Sequence, residues 1–326
     1  MKAIAQDRYG APDVLELRDV DRPVVGVDDV LVRVHAASAN PYDLHFMRGL
    51  PYIVRGVGSR AGFGLRGPRR PIRGRDLAGR VEAVGGNVTQ LRPGDGVYGV
   101  AHGTFAGYVC ATEHELAPKP RGLTDVQAAA MPVAATTALR AIRDHGRVAP
   151  GTKVLVNGAA GGVGTFAVQI AKASGAETTG VCSTRNLEMV RAIGADHVID
   201  YTTEDFTRRP ERYDLILDLV GNRSPSDCRR ALGPAGILLL SYGGTSAWFG
   251  PMGQILQATV LSRLGRQELS SFTAHVSRED LLALTELVES GKVMPVIDRT
   301  YPLGDGAEAM AYLETGHARG KVVLTA

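Results

Sequence analysis

Cysteine is scarce in this chain of 326 residues. There are three, Cys110, Cys182 and Cys228, far apart in sequence. They build no disulfide framework and fit a reduced chain, so a cytoplasmic location is expected. An excess of one charge is also missing. Thirty-seven basic against 34 acidic residues leave a formal net charge of +3, too little to argue for nucleic acid as a partner. No run of eighteen apolar residues occurs, so no membrane span is expected. Met1-Lys2-Ala3-Ile4 begins a strand-like segment without the apolar stretch of a signal peptide. Internal repeats and low-complexity segments are absent too. What remains is 44% hydrophobic and 22% charged, the balance of a globular chain of one large or two ordinary domains.

Glycine, by contrast, is plentiful, and its densest run is Gly158 to Gly164. It follows Val154–Val156, a short β-branched run with the length of a buried strand. After it Val163, Phe166, Ala167, Ile170, Ala171 and Ser174 recur at helical spacing. Strand, glycine turn and helix form the phosphate-binding corner of a dinucleotide fold, where backbone N–H groups and the helix dipole meet a pyrophosphate. Asn157, Ala160, Gly161, Gly162 and Val163 are the expected cofactor contacts. The fingerprint departs from G-x-G-x-x-G in having Ala159 at its first position, so the turn alone is weak testimony. About 20 residues beyond the last glycine, where an acid would hold the ribose hydroxyls, stand Ser183, Thr184 and Arg185. Hydroxyls and a guanidinium suit a 2′-phosphate, and no carboxylate is expected there to repel it, so NADPH is expected over NADH. Arg185 could instead cap a solvated loop.

Residues 1–123 carry short alternating runs, Val30–His35, Val81–Val84 and Gly96–Val100, parted by glycine turns. They predict a mostly-β, partly open barrel. Seven arginines lie in 55–75 without periodicity, a solvated loop or a lid that steers a polyanionic cofactor. Helices are expected from Thr124 to Ala130, with Thr124 or Asp125 as its cap, and from Val133 to His145, with Pro132 between them. Beyond the glycine corner strands and helices alternate: strands at Thr178–Cys182, His197–Ile199, Asp214–Asp218 and Ile237–Ser241, and helices near Leu187–Ile193 and Ser226–Leu232. That rhythm predicts an α/β domain with a doubly wound parallel Rossmann sheet. Gly243–Gly253 is a glycine-rich loop holding Trp248, and Ser271–Thr273 is a last candidate strand. Ser277 and Asp280 would cap a helix from Arg278 to Ser290, and Asp305 with Glu308 another. The strands Val296–Tyr301 and Lys321–Leu324 would return to the first domain. The domains are then 1–123 with 294–326, and 124–293, with substrate expected in the cleft between them.

The runs Gly158-Ala-Ala-Gly-Gly-Val-Gly164, Gly194-Ala-Asp-His-Val-Ile-Asp-Tyr201 and Gly320-Lys-Val-Val-Leu324 resemble the medium-chain dehydrogenase/reductase superfamily. Ala39-Asn-Pro-Tyr-Asp43 is similar to the Asn-x-x-Asp segment of its zinc-independent quinone oxidoreductases. The resemblance covers nearly the whole chain. It implies a GroES-like first domain, a Rossmann second domain, NADPH and a homodimer. It also implies further cofactor contacts at Thr137, Tyr201, Leu219, Val220, Ser241 and Lys321, the last with surface exposure as an equal alternative.

Three scattered cysteines cannot form the four-cysteine lobe of the zinc enzymes of that superfamily. Where those enzymes carry Gly-His-Glu, this chain has Gly74-Arg75-Asp76, and a guanidinium does not ligate zinc. No metal is therefore expected. Without a Lewis acid an alcohol is hard to activate, whereas a quinone or α,β-unsaturated carbonyl accepts hydride readily. A small electrophilic substrate and a metal-free NADPH-dependent reductase follow. Asn40 and Tyr42 are the catalytic candidates, as hydrogen-bond donors to the substrate oxygen or as pocket walls; Asp43 is expected to support their loop. A binding protein with little turnover and a zinc alcohol dehydrogenase are the competing readings.

Overall fold

A computed structural model of the chain describes residues 1–52, 55, 62–241, 252–263 and 265–326. By its contacts the chain divides into two compact units. The first is Met1–Thr136 with His275–Ser290 and Pro295–Ala326, and the second is Thr137–Ala274 with Gly291–Met294.

The first unit is built on one long strand. Asp29–Ala39 alternates apolar and polar residues in its first half and buries its last residues on both faces. It pairs antiparallel with Asp76–Val84 along one edge. Its other edge is shared: Asp29 to Arg33 pair with Tyr108–Thr112, and Ala36 to Ala39 with Lys321–Thr325. Register shifts at Leu31/Val32 and Val34/Ala36 bend it enough to serve both partners. Ile297–Pro302, Gly96–Val100 and Leu116–Pro118 complete a seven-stranded sheet among the described residues, and Lys2–Ala5 pairs with Glu16–Asp19 in a separate ribbon. Val30, Val32, Val34, Leu77, Val81, Val97, Phe105 and Val322 form its core, the mostly-β architecture expected from the alternation.

The second unit carries a six-stranded sheet, all its pairs parallel. Its order is His197–Asp200, Glu177–Cys182, Lys153–Asn157, Tyr213–Asp218, Leu232–Leu240 and Glu268–Ser271. The chain starts in the middle, runs to one edge and returns to the other, which makes a doubly wound sheet. Its near-continuous apolar strands, such as fully buried Val154, Leu155 and Val156, are those of a sheet covered on both faces.

Several sequence expectations need correction. Pro41–Arg48 is a helix, not a loop. Pro41 at its first turn and Gly49 at its left-handed end, φ +64°, are the helix signals that the loop reading passed over. The last parallel strand is Glu268–Ser271, so Phe272 and Thr273 lie beyond it. Helix Pro132–Arg140 gives way to a π turn over Ala141–His145. Thr124 and Ser277 cap as expected, but Asp305 makes no side-chain cap on Gly306–Glu314. By contacts, 124–136 and 275–290 group with the first unit rather than the second. Helix Asp125–Ala129 packs on strands Asp29–Ala39 and Asp76–Val84, and Tyr98 Oη donates to Leu281 O at 2.5 Å. The loop at 243–251, with Trp248, and residues 56–61 of the arginine-rich run lie outside the described residues.

Candidate active site

In the second unit the predicted cofactor residues collect at the C-terminal ends of the parallel strands. Asn157 ends the central strand, and Leu219 and Val220 follow its neighbour, with Leu219 N–H donating to Asn157 O at 3.1 Å. Ser241 follows the next strand, and its N–H donates to Asp218 O at 2.9 Å. Ser183 and Tyr201 stand at the ends of the two strands on the other side. Thr137 lies buried on helix Pro132–Arg140.

The glycine corner is closed on the protein side and open on the other. Gly158 holds φ +90°, and a Cβ at Gly164 would stand 2.1 Å from Gly158 O, so helix Gly162–Ala173 packs on the turn without a side chain between. At Gly161 a Cβ would meet only Gly158 O, at 3.4 Å. Gly161 is also the N-cap of that helix and supplies no side-chain cap, while Thr165 N–H is the donor that reaches Gly161 O. Ala160 and Val163 flank this cradle. The helix start thus lacks a side-chain cap and is not filled by protein beside Gly161, an arrangement that suits a pyrophosphate.

Below the corner Asn157 Nδ2 donates to Asp218 Oδ1 at 2.8 Å and to Asn222 Oδ1 at 2.9 Å. Asp218 Oδ1 also accepts from the Val220 and Gly221 N–H groups. Its Oδ2 is buried with no partner, and burial pushes this carboxyl above the usual range. At the strand end where a 2′-phosphate is expected, Ser183 stands at the N-cap position of the turn Thr184–Asn186 and makes no side-chain cap. One carboxylate does come near. Asp200, from the adjacent strand, accepts from Thr184 Oγ1 at 2.5 Å and Thr202 Oγ1 at 2.7 Å, which holds it below its ordinary pKa. The expectation that no carboxylate stands there is corrected to that extent.

In the first unit the structure reassigns two predicted residues. Asn40 is 4% exposed and Lys321 3%. Asn40 Nδ2 donates to Asp76 Oδ2 at 3.0 Å and to Ser38 O at 3.3 Å, and its Oδ1 accepts from Lys321 Nζ at 2.6 Å. Both amide hydrogens are thus taken, so Asn40 is a positioning residue and not the donor to substrate. Lys321 Nζ also lies 3.4 Å from Asp76 Oδ2 and from Ala39 O. Its ammonium is spent inside this unit instead of on a cofactor. Burial pulls it below the usual lysine range against the pull of Asp76. Asp43 Oδ2 accepts the Asn40 N–H at 2.9 Å, and burial pushes its carboxyl up to about 6. Asp76, which sequence reasoning did not select, is the hub. It accepts from Ser38 Oγ at 2.7 Å and from Val133 N–H at 3.0 Å, besides Asn40 and Lys321. Strand register places Ser38 opposite Asp76 and Ala39 opposite Val322.

Tyr42 projects the other way, 43% exposed, with its ring 4.5 Å from that of Phe46. Its hydroxyl has no hydrogen-bond partner among the described residues. It lines a small pocket, partly open to solvent, with Arg70, Arg73, Arg75 and His102. Arg75 Nη1 lies 3.0 Å from His102 Nε2. Burial and the three arginines push His102 down to about 4, so it is neutral at physiological pH.

Residues 26–121 match the family model described as alcohol dehydrogenase GroES-like domain, and residues 193–324 the one described as zinc-binding dehydrogenase. The chain is 35% identical over 355 residues to NAD(P)H oxidoreductase RTN4IP1, mitochondrial, of Bos taurus, covering 99% of this chain and 89% of that one. A quinone oxidoreductase structure from Coxiella burnetii superposes with a TM-score of 0.88 at 31% identity, covering 100% of this chain and 99% of that one. The chain belongs to the medium-chain dehydrogenase/reductase superfamily, in its zinc-independent quinone oxidoreductase family. Within this family a further relative, 2-methylene-furan-3-one reductase of Solanum lycopersicum, is 34% identical over 339 residues, covering 99% of this chain and 79% of that one. The expected GroES-like and Rossmann domains are those of the family. The description of one family model names zinc, and the donor set here does not fit that metal. Arg75 replaces the histidine, and both oxygens of Asp76 are taken by protein donors. No three His, Cys, Asp or Glu side chains come together as a metal cage among the described residues. A nicotinamide cofactor does fit, at the Gly161 cradle. No helix among the described residues is long and apolar enough to cross a membrane.

Proposed function

We propose that this chain reduces a quinone or an α,β-unsaturated carbonyl compound with hydride from NADPH, without a metal ion. One observation carries the reading: an open dinucleotide corner coexists with a metal position whose Arg75 cannot ligate and whose Asp76 is saturated. The relatives named for quinone and enone reduction support it. Bound at the corner, the nicotinamide supplies the hydride. The protein's part is to bind, orient and stabilise charge. Gly161, Gly162 and Val163 present N–H groups to the pyrophosphate, and Ser183, Arg185 and Tyr201 face the adenosine half. Tyr42 offers its uncommitted hydroxyl to the acceptor oxygen as negative charge develops there. Asn40, Asp43 and Lys321 hold the helix that carries Tyr42.

NADPH consumption across quinones, enones, aldehydes and alcohols, with product analysis, tests the reading. Quinones or enones are expected to react, and a panel in which only aldehydes or alcohols react would overturn it. Arg185→Ala is expected to lower the NADPH-over-NADH preference in kcat/KM about tenfold or more, the loss of a charge-assisted contact to phosphate. An unchanged ratio would remove Arg185 from the cofactor site. The three free thiols, two of them buried, support a reducing, cytoplasmic setting, and a homodimer is the proposed assembly, measurable by light scattering.

A further inference from the structure

Beside Tyr42 the fold buries an arginine whose Nε has no hydrogen-bond partner among the described residues. Arg73 is 4% exposed. Its backbone is fixed on both sides: its N–H donates to Ile4 O at 3.4 Å, and its carbonyl accepts from Phe105 N–H at 2.9 Å. Its side chain makes no hydrogen bond or ion pair among the described residues, and Nε is buried without a partner. Its Cζ lies 5.7 Å from the centroid of the Phe46 ring. An arginine carries five N–H donors in a planar fork, and to desolvate them unpaired is costly. Burial accordingly pulls Arg73 below the usual arginine range. A buried donor of this kind in a native fold asks for a partner that the described residues do not supply.

The pocket around it has the matching charge. Arg70, Arg73 and Arg75 contribute three positive charges and Asp43 one negative, so its lining carries 3 − 1 = +2 with His102 neutral. The other groups are committed or peripheral. Arg75 bonds His102 and lies 3.9 Å from Glu115, Asp43 is bonded to the Asn40 N–H, and Arg70 is exposed at the rim. Arg73 is the buried donor left over. Tyr42 and Phe46 give the same pocket an aromatic wall for a conjugated ring or enone.

We propose that Arg73 anchors a carboxylate carried by the acceptor, so that the substrate is an acidic quinone or enone and not a neutral one. This rests on the reading of the Tyr42 pocket as the acceptor site. The guanidinium fork matches a carboxylate in bidentate fashion, and the flanking arginines raise the local concentration of anions. A single oxygen that gains charge during reaction would need one donor. A lining of +2 exceeds that and suits a charge present before the reaction begins.

The test uses one enone offered as its free acid and as its methyl ester, with the wild-type chain and the variants Arg73→Met and Arg73→Lys. The wild type is expected to prefer the acid in kcat/KM. Arg73→Met is expected to cut the acid-over-ester ratio about 10–100-fold, with the change in KM, and Arg73→Lys to restore part of it. A ratio that does not move overturns the proposal. So does an equal loss of kcat on both substrates, which would put the guanidinium at the reacting oxygen. If neither substrate is reduced, the proposed function fails, and calorimetry with the saturated, unreactive acid still decides the anchor. Binding to the wild type and not to Arg73→Met supports it, and absence of binding to the wild type overturns it. Thermal melting of each variant shows that it is folded; because Arg73 is unpaired, Arg73→Met is expected to melt no lower than the wild type.

Discussion

Asn40 and Asn157 occupy similar settings in different units. Each stands at the end of a strand, is buried, and donates from Nδ2 to an aspartate of the neighbouring strand, at 3.0 Å to Asp76 and 2.8 Å to Asp218. The difference lies in what else reaches the aspartate. Asp76 has four side-chain or backbone donors on its two oxygens, one of them the buried ammonium of Lys321. Among the described residues Asp218 has no cation and keeps one oxygen bare. The first cluster is closed: it fixes a helix and admits no ligand. The second keeps a buried carboxylate oxygen without a partner among the described residues, near the glycine corner. A saturated polar network fixes geometry, and an unsaturated one at the end of a parallel strand marks the place for a partner.

The sharpest way to break this comparison is to remove the cation. Lys321→Met leaves Asp76 buried and uncompensated, and is expected to cost about 3–5 kcal/mol in denaturant unfolding. A loss below about 1 kcal/mol would mean the cluster is not closed as described. Next, Gly164→Ala places a Cβ 2.1 Å from Gly158 O and 2.8 Å from Ala159 Cα, both backbone. The helix must then lift from the turn. A stability loss of about 1–3 kcal/mol is expected, with weaker NADPH binding by fluorescence titration. Unaltered NADPH affinity in this variant would argue that the corner does not hold the pyrophosphate.

A pH experiment probes the closed cluster more gently. Burial lifts Asp43 from 3.8 to about 6, so the folded chain holds this proton more tightly than the unfolded chain does. Its contribution to stability is present at low pH and is lost as pH rises from about 4 to about 6. The unfolding free energy of the wild type minus that of Asp43→Asn is therefore expected to fall across that window and then stay level. A flat difference would remove Asp43 from the buried cluster. The smallest effect is expected at the open site. Asp218→Asn keeps the accepting Oδ1 and replaces the bare oxygen, so unfolding should change by less than about 1 kcal/mol; a loss as large as that of Lys321→Met would erase the distinction between the two clusters.

Much of the second unit was legible in the sequence because its signals are local. The glycine spacing, the β-branched run before it and the strand–helix rhythm lie within short windows, and they name the fold and the corner directly. The first unit hides its chemistry in long-range pairing. Asp76 meets Ser38, Asn40 and Lys321 across sequence separations of 38, 36 and 245 residues, through a bent strand that serves two partners. No short motif announces that. The same register explains why Lys321 reads as a cofactor contact in the sequence and proves to be an internal anchor. The helix at Pro41–Arg48 was a nearer miss. Asn-Pro-x-Asp is an N-cap, a first-turn proline and an acid at the third position, and those signals outweigh the loop reading once weighed together. Arg73 could not be told from its exposed neighbours in an aperiodic arginine run, since burial there is set by contacts from Ile4 and Phe105.

The central claim, metal-free hydride transfer to a conjugated acceptor, meets its most direct test in one measurement. NADPH oxidation with an α,β-unsaturated ketone is followed on chelator-treated protein, with metal content and product determined on the same sample. The account predicts the saturated ketone, formed at the rate of untreated protein with metal well below one ion per chain. A rate that rises and falls with bound zinc, or an allylic alcohol as the product, would contradict it.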